Sequence, residues 1–499
     1  MATTGFAKHL SYYTLASVLV TLASVISFPL LTRLLSVEEY GVMNLVSSAL
    51  AILVGVAKLG LGNAALRFYS EVKAGKHGVD MNGYASTVVV GMGALGLAVT
   101  LIWLAATLVI PASWWNDPRV APLMAFTSVL VLVRVLESAL LNQIRAQEES
   151  RLLAIFGVVR RYVGLAAIFG VLFFVSRDLW GFYAATVATE ILGVLWIAVW
   201  LLRRFDVSPR LFDRRLFRAM LAFGIPMAGY ELGAQVLAMG DRYVIQTLLG
   251  AQPLGVYVAA YNMCDYVRIL ALSSFAAAAL PTYSRIWEEQ GAEATADFLR
   301  RFLHVYVAAA ALVVAVTAAT GGEVLAVLAS AKYREGGVVV PWVIAGMALE
   351  GAVMVCGAGL YLRKRSKTIM LLVALAAAAN IGLNLLWVPT WGIVGSAAAT
   401  LVSYAALLLS SLLLGRGTLP VPMPWAALAK FVPAAALGWW LARYVTVGGD
   451  AVTAVLRGLV VVAVFAPVAL VGDAMLRDRV RSVVAKLASR LGSRSPRQG

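Results

Sequence analysis

Among the ionisable side chains inside the long apolar runs of this sequence, twelve stand out. Six are basic (Lys58, Arg134, Arg160, Arg161, Arg242, Arg268) and six acidic (Glu137, Glu190, Glu231, Asp241, Asp265, Glu350). Charge in such surroundings is costly, usually faces a bundle interior or a wet cavity, and marks function by default. The chemistry open to these groups is narrow. A guanidinium fork grips a phosphate or carboxylate through two parallel hydrogen bonds. A buried carboxylate can hold a proton, because burial raises its pKa. The two signs balance, so the interior as a whole is not cationic.

Spacing sorts them further. Arg134 with Glu137, and Asp265 with Arg268, stand three apart, where an intrahelical ion pair is the plain structural alternative. Arg160 and Arg161 have no acid on their own helix, and only one of them can face a given direction. They sit about 13 Å from the cytoplasmic helix start, near the limit for snorkelling; Lys58 can also snorkel. Glu350 has no local partner and suits either a proton- or sodium-linked site or a hydrogen-bonded structural acid. Glu231, Gln235 and Arg242 share one helix face, as do Tyr261, Asp265 and Arg268, and as do Asn44, Ser47, Ser48 and Lys58. Tyr13, Ser17, Thr21 and Ser24 form a hydroxyl stripe on the first helix. Such polar stripes are what the walls of a hydrated cavity require. The runs 367–388 and 392–414 carry no charge after Lys367 and read as lipid-facing supports.

Other chemistries find no residues. Gly91-Met-Gly-Ala-Leu-Gly96 fits a dinucleotide fingerprint in letters, but it lies in an apolar helix with no strand before it. Its small residues fit close helix packing instead. Walker loops, paired His/Cys metal ligands and a nucleophile elbow are missing from the sequence. Cys264 and Cys356 lie far apart in apolar runs, and His9, His77 and His304 do not cluster. No enzyme, cofactor or metal is expected. The pI near 10 does not indicate nucleic acid, because the basic residues come in short bursts rather than one patch.

The elements that hold these charges are membrane helices. The chain has 499 residues, 61% hydrophobic and 13% charged, with a mean hydropathy of +0.86. A hydrocarbon core of roughly 30 Å takes about 20 apolar residues per helix. On that rule the sequence predicts fourteen helices, near 10–33, 41–66, 83–110, 120–142, 152–176, 179–202, 217–248, 253–280, 300–320, 338–361, 367–388, 392–414, 425–445 and 451–473. With the N-terminus inside, inner segments hold 27 of the 41 Lys and Arg residues and outer segments six. That asymmetry places both termini in the cytoplasm. The first run is too long for a signal h-region and lacks a cleavage site, so it is expected to remain as helix one. The arginine-rich linker Arg203–Arg218 is expected along the inner membrane surface, against anionic lipid. The tail from Arg477 is expected to begin as a basic amphipathic helix and end without structure.

The chain also repeats itself. Leu34-Leu35 with Gly41-Val42 recurs as Leu248-Leu249 with Gly255-Val256, and Ala64-Ala65-Leu66 with Tyr69-Ser70 recurs as Ala278-Ala279-Leu280 with Tyr283-Ser284, both 214 positions later. Trp180-Gly181, Ala188 and Thr189 match Trp391-Gly392, Ala399 and Thr400 at a spacing of 211. A constant offset indicates two related halves. Six helices per half is even, so the repeats are parallel, and transporters with such repeats bind substrate near the midplane between them. The expected organisation is an N-lobe over 1–202, a basic linker over 203–216, a C-lobe over 217–414, two extra helices within 425–473 and a basic tail over 474–499.

The run Phe28-Pro-Leu-Leu-Thr-Arg33-Leu-Leu-Ser-Val-Glu-Glu-Tyr40-Gly41, then Leu59-Gly-Leu-Gly62 and Leu66-Arg-Phe-Tyr-Ser70, resembles the polysaccharide-transporter (Wzx-type flippase) family of the multidrug/oligosaccharidyl-lipid/polysaccharide exporter superfamily. Asn380-Ile-Gly-Leu-Asn384, Val388-Pro389 and Gly392-Ile-Val-Gly395-Ser-Ala-Ala-Ala-Thr400 resemble its second-half signature. The resemblance runs to about residue 414. It implies an all-α, MATE-like polytopic membrane protein, with two six-helix lobes around a cavity that opens alternately to each side. It also implies a cargo of undecaprenyl-pyrophosphate-linked oligosaccharide moved from the inner to the outer leaflet of the cytoplasmic membrane, beside a polysaccharide polymerase and glycosyltransferases. Arg33 falls in the family's first-helix motif. For such a cargo Arg33, Arg134, Arg160, Arg242 and Arg268 are candidates for the phosphates. Asn44, Tyr261 and Asn262 are candidates for sugar. Glu231, Asp265 and Glu350 are candidates for coupling to H+ or Na+. The alternatives are a lipid II-type precursor flippase or a multidrug exporter of the same superfamily. A membrane glycosyltransferase or polymerase fits less well, since the outer segments are too short for the catalytic loop such enzymes normally carry.

Overall fold

Short polar residues open the helices where the apolar runs begin. The Ser36 hydroxyl accepts from the Glu39 N–H at 3.1 Å, and the Ser36 N–H donates to the Glu39 carboxylate at 2.8 Å, closing a capping box. That box starts α2 (Val37–Lys58). Asp80, Asp178 and Asp213 cap α4 (Met81–Val109), α8 (Leu179–Leu202) and α9 (Arg214–Met239) by accepting from Gly83, Gly181 and Leu216 N–H groups. The computed structural model describes residues 2–478 and 481, with side chains from residue 15 onward except at 112, 274 and 276–278. The remaining helices are α1 (Ala2–Leu34), α3 (Leu61–Lys73), α5 (Val120–Thr127), α6 (Val129–Ala146), α7 (Ser150–Phe174), α10 (Asp241–Leu249), α11 (Ala251–Ala271), α12 (Ser273–Leu328), α13 (Val340–Cys356), α14 (Ala358–Leu362), α15 (Ser366–Gly415), α16 (Trp425–Ala442) and α17 (Asp450–Leu470). Among the described residues there is no strand. The expected tail helix lies almost wholly outside them.

All fourteen predicted segments fall on helix, and the differences lie in where helices break. The capping box moves the second helix start from 41 to Val37, and the chain turns at Leu59 (φ 43°) and Gly60 (φ 70°) before α3. The predicted helix 253–280 breaks at Leu272, and its last turns run on into α12. Within α12 and α15 the backbone leaves helical geometry at Gly291 (φ 83°) and Gly392 (φ 59°), so α15 contains both predicted segments 367–388 and 392–414. Among the described residues ten helices are long and apolar enough to cross a membrane, or eleven with the bent pair 331–338 and 340–356. Helices α9, α10 and α11, which carry Glu231, Asp241, Arg242, Asp265 and Arg268, fall outside that count.

The chain forms two compact units. The first comprises 1–259, 328–330 and 365–403. In it Gly91, Gly93 and Gly96 of α4 are met by Phe217 of α9 and by Leu136 and Val135 of α6. Those glycines are packing surfaces, as the sequence implied. Gly229 and Gly233 of α9 face Met370 and Val373 of α15. The expectation of α15 as plain lipid-facing support needs correction. Leu371, Leu375, Leu385 and Leu386 are exposed, but Asn380, Asn384, Ser396, Thr400 and Ser403 form a buried polar seam, with Asn380 donating to Thr400 at 3.3 Å. The linker is stitched to the start of α4: Ser208 N–H donates to Ser86 Oγ at 3.1 Å and Asp213 N–H to Thr87 Oγ1 at 2.9 Å.

The second unit comprises 260–327, 331–364 and 404–499. Leu272, Tyr283, Leu303, Tyr306, Ala352 and Val355 build one core. A second core joins α12 to the extra helices α16 and α17 through Ala315, Phe431, Ala435, Val461 and Phe465. Arg457 of α17 ties that join, donating to Glu323 at 2.6 Å and to the Val445 carbonyl at 3.0 Å. Beyond α17, Asp473 meets His304 at 3.0 Å and Lys430 at 3.2 Å.

Candidate functional site: intramembrane charge clusters

In the first unit the charges predicted on separate helices converge. Arg134 of α6 forms a two-pronged bond with Glu190 of α8, Nε to Oε2 and Nη2 to Oε1, both 2.9 Å. The three-apart pairing of Arg134 with Glu137 is superseded by this contact between helices. Glu137 is engaged by Arg160 of α7 at 2.8 Å, and the same guanidinium lies 3.6 Å from Glu190. The Arg160 stem runs past Gly193. Four side chains from three helices thus make one net-neutral square. Lys58 of α2 stands within Coulombic reach of Glu137 and Glu231, and Asn63 of α3 donates to Glu231 at 3.0 Å. Arg161 turns the other way and donates to Ser24 of α1 at 3.0 Å, so the neighbouring arginines do face apart. Ser24 of the α1 hydroxyl stripe therefore faces α7, where Tyr162 also donates to the Leu19 carbonyl.

A second group in the same unit lies on α10, α11 and α2. Asp241 and Arg242 are both buried; Tyr257 donates to Asp241 at 2.5 Å. Tyr243 lies 3.4 Å from Ser48, and the Asn44 amide donates to the Tyr40 carbonyl of its own helix at 2.8 Å. Arg33 is exposed at the last turn of α1.

The second unit holds a smaller group. Arg268 donates to Asp265 Oδ1 from Nε and Nη2, at 2.9 and 2.6 Å. Glu350 of α13 stands 3.8 Å from the same guanidinium. The intrahelical pair expected from spacing is formed, and the acid without a local partner meets it from another helix. Tyr261 is buried and Asn262 half-buried on α11.

Sequence reasoning gave Glu137 only the intrahelical pairing with Arg134 and Glu190 no role; their partners sit on other helices, which no spacing rule reaches. It passed over Tyr257, Asn142 and Gln143. Asn142 Nδ2 and both polar atoms of Gln143 are buried with no hydrogen-bond partner among the described residues. The only available signal was an Asn-Gln pair inside an otherwise apolar run. No group of three or more metal-ligating side chains occurs among the described residues.

Over residues 6–287 the sequence matches the family model described as polysaccharide biosynthesis protein, which is more than half of its length. The chain belongs to the polysaccharide biosynthesis protein family. Among curated proteins none matches it in sequence. Solved structures similar to this family member share its fold at low identity. A lipid II flippase MurJ in an inward closed conformation superposes with a TM-score of 0.73 at 14% identity, over 91% of this chain and 98% of that one. An outward-facing multidrug resistance MATE transporter of the MOP superfamily gives 0.56 at 16% identity, over 82% and 92%. A MOP superfamily transporter from Pyrococcus furiosus gives 0.55 at 16% identity, over 82% and 92%. The family member is therefore a multi-pass membrane protein with the fold of MurJ and MATE transporters.

Proposed function

We propose that this protein is a flippase for a polyprenyl-pyrophosphate-linked oligosaccharide, carrying the sugar-bearing headgroup from the inner to the outer leaflet of the cytoplasmic membrane. The observation that carries this reading is the family match combined with a fold covering 98% of a lipid II flippase. The chain's own residues agree with it. Pyrophosphate is a doubly charged oxyanion, and forked guanidinium groups are the side chains whose geometry matches it. Arg134, Arg160 and Arg268 each lie in the membrane with a carboxylate already in that place. A phosphate oxyanion is gripped by the same guanidinium forks when it takes the carboxylate's place. Arg33 and Arg242 extend the same role, with Asn44, Tyr261 and Asn262 for sugar. Carboxylates released from arginine are then available to a proton or sodium ion, and Glu231, Asp265 and Glu350 supply that coupling, since a bound ion shifts a conformational equilibrium only through differential affinity. Both termini are assigned to the cytoplasm from the charge asymmetry of the loops.

The test measures labelled undecaprenyl-pyrophosphate oligosaccharide reaching the outer leaflet in proteoliposomes. The wild type transports it, and Arg134→Gln with Arg268→Gln reduces transport at least tenfold while both variants still insert. Full transport by both variants would refute the assignment of the arginines. The second reading, a lipid II flippase, is favoured by the higher TM-score of MurJ over the MATE transporter. Competition between the two lipids in the same assay decides it.

A further inference from the structure

We propose that α2 is clasped at each end by a glycine-on-glycine contact and that these two contacts are the gates, opened one at a time. The inference deepens the flippase reading and rests on it and on the N-terminus-inside orientation; all the residues involved belong to the first unit.

At the outer end, Gly41 of α2 lies against α11. A Cβ on Gly41 would stand 2.4 Å from the Ala251 carbonyl oxygen and 2.8 Å from the Gly255 nitrogen. The contact is reciprocal: a Cβ on Gly255 would meet the Val37 carbonyl oxygen at 2.0 Å. Val37 and Ala251, like Gly41 and Gly255, are 214 positions apart, so the two repeats meet here through equivalent backbone atoms. Close by in sequence, Gln246 donates to the Trp115 carbonyl and Asn116 to the Thr247 carbonyl, each at 2.6 Å.

At the inner end Gly60 meets Gly224 of α9 in the same fashion. A Cβ on Gly60 would stand 2.0 Å from the Gly224 carbonyl oxygen, and one on Gly224 would stand 2.7 Å from the Leu59 carbonyl oxygen. This contact carries a polar latch: Asn63 donates to Glu231 at 3.0 Å, and the Arg67 guanidinium sits 4.5 Å over the Phe223 ring. Gly41 and Gly60 are 19 residues apart, about 28 Å along a helix, which is the thickness of the hydrocarbon core. Between them the α2–α9 contact is less completely satisfied. Gln235 lies over Gly55, and its Oε1 is buried with no hydrogen-bond partner among the described residues.

Backbone against backbone is a contact suited to parting. It has no interlocked side chains to repack, and its weak C–H···O attractions are worth under about 1 kcal/mol each. A stripe of small residues alone would signify only close packing. What adds direction here is the placing of one reciprocal contact at each face, with a latch on the inner one that includes a carboxylate. Glu231 and Asn63 are then positioning residues for the inner gate.

The test places a reporter cysteine at Ser48, buried on α2 seven residues inward of Gly41, in full-length protein with Cys264→Ala and Cys356→Ala. Labelling by a membrane-impermeant maleimide is followed from the outside in right-side-out vesicles and from the inside in inverted ones. Gly41→Leu is expected to raise outside labelling at least fivefold with inside labelling unchanged. Gly224→Leu is expected to do the reverse, and Glu231→Gln to do the same as Gly224→Leu to a smaller degree. If the leucine variants do not accumulate, Gly41→Ala and Gly224→Ala serve, since the Cβ alone already collides. Unchanged labelling, a rise from both faces, or a rise from the wrong face would each overturn the proposal. The labelling needs no cargo. Side-specific labelling together with a wild type that moves no sugar-lipid would therefore sink the flippase reading and leave the gates standing.

Discussion

The two units solve the problem of intramembrane charge differently. In the first, Arg134, Glu190, Arg160 and Glu137 come from three helices and close on one another. In the second, Arg268 is held mainly by Asp265 of its own helix, with Glu350 at 3.8 Å. Exposure separates them too. Side chains in the first group are 10–30% exposed; in the second they are 32–42% exposed. A network spread over helices makes helix packing depend on charge. A pair on one helix leaves that helix able to move with its charges satisfied. The first group is therefore rigid, whereas the second can exchange partners at little cost.

The largest effect that would break this comparison is at Arg134. Arg134→Ala takes from Glu190 its two-pronged partner and leaves it only the Arg160 guanidinium at 3.6 Å, and removing one partner of a buried pair destabilises by about 3–5 kcal/mol. Arg134→Met with Glu190→Met removes both charges and is expected to recover most of that loss, as buried pairs replaced by apolar groups often do. Denaturant titration of the purified protein in detergent measures both. A double variant as unstable as the single one would show that the square is not a mutually dependent unit.

Arg268→Ala is the matching change in the second unit and should cost about 1 kcal/mol or less in the same titration, in line with partly exposed pairs. Its consequence should appear in transport instead, where loss of the guanidinium removes the headgroup contact proposed for it. A destabilisation equal to that of Arg134→Ala would erase the distinction between the two groups.

How much of this was legible in the sequence follows from the range of each signal. Helix positions depend on local apolar length, and all fourteen predicted segments are helical. The repeat offset of 214 reappears as helix starts at Val37 and Ala251. The Asp265–Arg268 pair was legible because both residues sit within one helical turn. The Arg134–Glu190 bond was not, because 56 residues and a helix-to-helix contact separate the partners. The same limit hid the polar seam of α15, whose uncharged Asn380 and Thr400 looked inert until another helix segment faced them. The Gly41–Gly255 contact lies between these cases. The repeat paired the two residues, but only coordinates reveal that they touch.

The smallest expected effect comes from a carboxylate beyond the spans, and it sharpens the contrast with a third arrangement, in which Asp473 is itself buried while its partner Lys430 is exposed. Burial raises the Asp473 pKa, but the Leu476 N–H, Lys430 and His304 outweigh it, so the carboxyl is held below its ordinary value of 3.8. A carboxylate with a depressed folded-state pKa contributes stability that is fully present above the unfolded pKa and is lost as pH falls through the folded value. The join between α12 and the α16–α17 pair should therefore be unaffected from pH 7 to about 5 and loosen only below about pH 4, by no more than about 1 kcal/mol, because the Lys430 partner is exposed to screening. Hydrogen exchange of α16 and α17 measured against pH reads this directly, and Asp473→Asn should abolish the acid-dependent part. If loosening began near pH 6 instead, a group other than Asp473 would control the join, and the two extra helices would respond to pH in the physiological range.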